Sequence, residues 1–178
     1  SSSYIPKSMS LIKKVIIFFS ILFIFSFSHL YAQEVKKIGK YKDWEAMVVS
    51  EASGKVCFAQ SAPILQAPKS NKRDAKLFVA FRPNENILNE VSVTPGYEFN
   101  KKNSVTAASG KNKFKFDIKE QGFAWIADTK IELKMIKQMR KGSRLMVTGY
   151  NEKGSQTIDH YSLLGFTKAY NASKKACS

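Results

Sequence analysis

Three neighbouring side chains near the end of the chain, Asp159, His160 and Ser162 in "DHYSLLGF", are the residue types of a nucleophilic triad. That chemistry needs the acid behind the imidazole and the imidazole against the hydroxyl, and triads gather the three from separate segments. Here they share one alternating stretch, "QTIDHYS". On an extended strand Asp159 and Tyr161 point one way and His160 and Ser162 the other. The spacing suits a solvent-facing histidine better than a general base, so a hydrolase using Asp159 and His160 is the lesser reading. Asp43 and Glu45 could be taken as paired carboxylates, but a glycosidase needs acids on two facing walls, and no second acidic cluster marks an opposing one.

Metal and phosphate chemistry have little to work with. His160 is the single histidine of residues 33–178 and no second cysteine pair exists, so neither a zinc nor a copper centre is expected. "SGKNK" lacks the spacing of a phosphate-cradling loop, and no cofactor is implied.

What remains is ionic. The chain has 29 Lys and Arg against 14 Asp and Glu; residues 1–32 hold three of the lysines and no acid, leaving +12 on residues 33–178. Such a balance attracts polyanions in general. The basic residues are scattered: Lys36, Lys37, Lys40 and Lys42, then Lys69, Lys72 and Arg73, then Lys137, Arg140, Lys141 and Arg144, then Lys174 and Lys175. One reading is a solvated surface. The sharper one joins the 69–73 loop and the 137–144 helix end into a single anion-binding patch, with Tyr150 nearby.

The elements that would have to position these groups begin after residue 32. Met9 to Ala32 has the three parts of a secretory leader: Lys13 and Lys14, an apolar stretch over residues 15–27, and Leu30 and Ala32 at the −3 and −1 positions of a cleavage site. The apolar stretch falls short of the roughly 20 residues of a membrane span; an uncleaved anchor is the other reading. Residues 1–8 read as upstream sequence. Residues 33–40 read as a short N-terminal segment, and 41–178 as one domain. Export makes nucleic acid an unexpected partner, and an envelope polyanion or a protein the expected one, with no stable membrane span after cleavage. The two cysteines, Cys57 and Cys177, are in that compartment most simply one disulfide, with two free thiols as the alternative.

Short runs of β-formers broken by turn residues about every ten positions predict a mainly β fold, an antiparallel sandwich or barrel of eight to nine strands. "KFKFDI" alternates most clearly, with Phe114, Phe116 and Ile118 on one face and Lys113, Lys115 and Asp117 on the other. Two helices interrupt the pattern. In "DTKIELKMIKQMRKG", Thr129 and Glu132 form a capping box, Ile131, Met135, Ile136 and Met139 share a face, and Gly142 serves as the stop. After Gly165, the face Phe166, Ala169, Tyr170 and Ser173 predicts a C-terminal helix.

Several stretches in order, "DWEAMVVSEASGKVCFAQSAP", "FRPNENILNEVSVTPGYEF", "GFAWIAD", "MRKGSRLMVTGYNEKGSQTIDHYSLLGF" and the terminal "AC", resemble the invasion-associated locus B family of exported bacterial proteins. The residues carrying the resemblance are Asp43, Trp44, Cys57, Asn89, Glu90, Gly96, Tyr97, Trp125, Tyr161, Ser162, Gly165 and Phe166. Two departures stand out: many members have a cysteine shortly after the "DW" tryptophan, where this chain reads Ala46-Met47-Val48, and a small residue where it has His160. The resemblance implies an envelope or secreted protein without established catalytic activity, in a family named for a member linked to host-cell invasion.

Overall fold

The computed structural model describes residues 33–178; the leader and upstream segment expected over residues 1–32 lie outside the described residues. Twelve strands and two α-helices follow one another: β1 Glu34–Tyr41, β2 Trp44–Glu51, β3 Gly54–Ser61, β4 Leu65–Ala67, β5 Lys76–Arg82, β6 Ile87–Thr94, β7 Val105–Ser109, β8 Asn112–Phe116, β9 Ile118–Glu120, β10 Phe123–Trp125, helix α1 Thr129–Lys141, β11 Arg144–Tyr150, β12 Gln156–Ser162 and helix α2 Phe166–Ala176. The strands form two antiparallel sheets. One has seven strands in the order β1-β2-β3-β5-β6-β10-β9, the other five in the order β4-β12-β11-β7-β8.

The fold is thus mainly β and antiparallel, with more strands than the turn spacing suggests. Most of residues 33–40, read as a segment ahead of the domain, lies in β1, which pairs along β2 with a bulge between Lys37 and Gly39. Lysines on such an edge discourage pairing with another chain.

The "KFKFDI" alternation holds only as far as Phe116, which is buried in the core. There the chain leaves the five-stranded sheet and enters the seven-stranded one as β9, so Ile118 pairs with Trp125 and is exposed. Asp117 sits at the crossing, accepting from the Ala127 N–H at 3.3 Å.

Between the sheets the core holds Trp44, Leu77, Val79, Phe81, Val91, Val93, Phe116, Leu145 and Tyr161, closed by the inner faces of both helices. Met135, Ile136 and Met139 of α1 are buried as their spacing requires, but the expected capping box does not form. Asp128 caps instead, accepting from the Lys130 N–H at 2.8 Å. Glu132 belongs to the buried face. Helix α2 buries Phe166, Ala169, Tyr170 and Ser173, and its end is tied back to β3 by a disulfide between Cys57 and Cys177. Among the described residues no helix is long and apolar enough to cross a membrane.

Candidate binding surfaces

Most residues in the quoted stretches serve the fold. The Trp44 ring is fully buried, meets Phe166 edge-on at 4.9 Å, and donates its Nε1 hydrogen to the Ser162 carbonyl at 2.8 Å. Beside it the Asp43 N–H donates to the Leu164 carbonyl. Gly165 turns the chain into α2 at φ +90°, and a Cβ there would run into the Tyr41 carbonyl. No L-residue fits without moving β1. Asp43, Trp44, Ser162, Gly165 and Phe166 therefore form one lock between the start of β2 and the start of α2.

A second lock surrounds Asp159. Its carboxylate faces inward and takes two hydrogen bonds from Arg73, at 2.7 and 3.0 Å. Arg73 also donates to the Pro95 carbonyl at 2.7 Å and lies over the Tyr97 ring. Tyr97 shares a hydrogen bond with the Thr157 hydroxyl at 2.6 Å, and Gly96 supplies the φ of +84° that swings Tyr97 into place. Burial pushes the Tyr97 and Tyr161 hydroxyls above their ordinary pKa, so both stay neutral.

This corrects the basic patch. Arg73, expected to face anions, has a side chain only 4 % exposed and is consumed by Asp159. A buried carboxylate requires such a partner. Arg140 lies over the Tyr170 ring at 4.6 Å. Lys69, Lys72, Lys137, Lys141 and Arg144 are exposed, but in two places. The loop of Lys69 and Lys72 leaves β4 at Ala67, opposite Ile158, whereas α1 delivers Arg144 opposite Ser162. Four residues of strand, about 13 Å, separate those positions.

The triad does not assemble either. Asp159 faces the core, while His160 is half-buried on the opposite face between Leu65 and Met146, its Nδ1 without a partner. The Ser162 hydroxyl accepts the Leu164 N–H at 3.2 Å. Asp43 and Glu45 share a shallow pocket with Lys40, Lys42 and Lys76, and Glu45 is paired with Lys37. Among the described residues no three His, Cys, Asp or Glu side chains are placed to hold a metal.

Two sheet faces remain. On the outer face of the five-stranded sheet the register aligns Lys113, Ala108, Met146, His160 and Leu65 in one row, and Lys115, Thr106, Thr148, Ile158 and Ala67 in the next, with Arg144 beyond. The face carries three cations and no carboxylate, and among the described residues none of the three is in an ion pair. The alternation of "KFKF" already showed the lysines; that Arg144 joins them depends on the β7–β11 pairing.

The outer face of the seven-stranded sheet bears half-buried rings, Phe58, Phe78, Phe123 and Trp125, around a groove of about 580 Å³. A sign of it lay in "KLFVAFR", apolar on both strand faces, which an antiparallel strand with one wet face has no need to be. Next to it a second groove of about 630 Å³ is lined by Asn89, Glu90, Trp125 and Glu132. Asn89 accepts the Tyr170 hydroxyl hydrogen. Glu132 accepts the Val91 N–H at 2.7 Å, and burial, only partly offset by that bond, pushes its pKa up to about 7, with Glu90 adding to the rise.

Against known proteins, residues 44–174 match the model of the "Invasion associated locus B (IalB) protein" family. The chain belongs to this family. Among solved structures, invasion-associated protein B from Bartonella henselae is similar: 16% identity, a TM-score of 0.54, covering 82% of this chain and 98% of that one. At that identity the likeness speaks for the shared sandwich alone. No curated protein matches.

Proposed function

We propose that this member of the invasion-associated locus B family is an exported, non-catalytic interaction protein, released after cleavage near Ala32, that binds an anionic envelope component. The carrying observation is the outer face of the five-stranded sheet, which Lys113, Lys115 and Arg144 share with no acid among them. Exposed apolar neighbours, Leu65 at 46 % and Met146 at 39 %, give such a face area to bury beneath an amphiphilic anion. Periplasmic or extracellular location is supported by the leader pattern of residues 9–32 and by the disulfide.

The test is binding of lipopolysaccharide and of vesicles containing an anionic lipid, across a salt series. Affinity should fall steeply as screening shortens to about 8 Å at physiological ionic strength. The charge reversal Lys113→Glu/Lys115→Glu/Arg144→Glu should abolish it. Flat salt dependence, or full binding by that variant, sinks the reading. Host-cell contact outside the bacterium is the second reading, favoured by the name of the structural relative. Preference for a sulfated host-type glycan over lipopolysaccharide in the same assay selects it.

A further inference from the structure

The aromatic groove lies on the other sheet and plays no part in that reading. Phe58 and Phe78, with centroids 5.8 Å apart, line one side; Phe123 and Trp125, stacked at 5.7 Å, line the other. Phe78 and Phe123 are 6.3 Å apart. Small residues make the floor: Ala80 lies opposite Phe58, and Ser92 bridges Phe78 and Trp125 across three strands. Both floor residues are buried while the rings above them stay half-exposed, and among the described residues nothing covers them.

The charge at one end identifies the occupant. The Arg82 guanidinium is ringed by Glu51 at 3.5 Å, Glu85 at 3.8 Å and Glu90 at 3.4 Å. Three carboxylates around one cation leave two negative charges in excess, on a domain that is otherwise strongly basic. The carboxylates keep between 21 % and 43 % of their side-chain exposure, so they remain open to a ligand. An anion is repelled there, and a neutral ligand leaves the excess uncompensated.

We propose that this groove binds a linear oligoamine, its alkyl stem between the aromatic walls and its ammonium groups against Glu51, Glu85 and Glu90. Ring faces attract an ammonium through their quadrupole, and the aromatic walls strengthen the charge contacts by excluding water. The volume lies within the roughly 300–1,000 Å³ of small-molecule sites. A peptide fits less well. The backbone groups of β3, β5, β6 and β10 are already paired in the ladder, so amides laid over the sheet find no partners beneath them.

Trp44 is fully buried and Trp125 lines the groove, so a change in tryptophan emission on adding a ligand reports on Trp125. Titrating the disulfide-bonded protein with spermidine should give a saturable emission change and a matching calorimetric isotherm. Phe78→Ala and, separately, Glu51→Gln/Glu85→Gln should each weaken binding about tenfold or more. The double glutamine change touches only partly exposed side chains and leaves the walls intact, so it decides the matter even if Phe78→Ala fails to fold. No saturable response up to about 10 mM spermidine overturns the proposal. So does undiminished binding by the double variant, or tighter binding of maltotriose or of an acetyl-lysine-amide peptide than of spermidine.

Discussion

Arg73 sets one guanidinium nitrogen 2.7 Å and the other 3.0 Å from the two carboxylate oxygens of Asp159, with both side chains at most 4 % exposed. The pair spans 86 residues of sequence and fastens the loop after β4 to the inner face of β12. The Gln66 side chain holds the same loop by accepting the Arg73 N–H and donating to its carbonyl, both at 3.1 Å. Removing one charge leaves the other buried and alone. Asp159→Leu and Arg73→Met should each cost about 3–5 kcal/mol, and Arg73→Met/Asp159→Leu markedly less than their sum. Chemical denaturation of the four proteins tests this; additive losses would show that the pair is not coupled. His160→Ala, on the opposite face, should shift the midpoint little.

The disulfide closes a sequence separation of 120 residues with Cα atoms 5.9 Å apart. In the chain-entropy account a loop of that length is worth up to about 5 kcal/mol. Reduction should lower the melting temperature, and Cys57→Ser, Cys177→Ser and the double variant should melt alike. Free thiols titrated in the oxidised protein, or unequal single variants, refute the pairing.

Glu132 makes stability depend on pH in an unusual direction for a carboxylate. Its pKa rises from an ordinary 4.5 to about 7 because ionisation would leave a charge among Met135, Ile136 and Val91. Below the unfolded value both states are protonated and the carboxyl costs nothing. As pH climbs from about 4.5 to about 7 the unfolded chain ionises first, so stability falls, by at most about 3 kcal/mol, and levels off above. Glu132→Gln keeps an acceptor for the Val91 N–H and should remove this loss. Denaturation midpoints at pH 5 and pH 8 decide: if the two proteins change in parallel, Glu132 is not the group responsible.

Much of the scaffold was legible because local periodicity and packing agree. Phe166, Ala169, Tyr170 and Ser173 share a helix face in sequence and are the buried face of α2. Phe114 and Phe116 alternate with lysines and line the inner side of β8. Failures came where partners are distant. Arg73 sits among lysines in a loop and reads as solvated, since nothing local reveals an aspartate 86 positions on. Glu132 has the spacing of a helix cap, but Asp128 takes that role and the β6 backbone claims the carboxylate. Ile118 continues the alternation of β8, yet Asp117 is where the chain changes sheets, and a period of two carries no mark of which sheet a residue joins. On the outer faces, the alternation of "KFKF" put Lys113 and Lys115 on one side, but only the β7–β11 pairing brings Arg144 onto that face.

Helix α2 gives the molecule an order of assembly. Phe166, Ala169 and Tyr170 complete the core beneath β1, β2 and β3, and the Trp44 indole finds its acceptor at Ser162. Strands β1, β2 and β3 thus wait for a helix that follows them far along the chain. A chain emerging from its amino end holds β1, β2 and β3 with that part of the core still open until α2 arrives, and Cys57 without its partner until residue 177 is made.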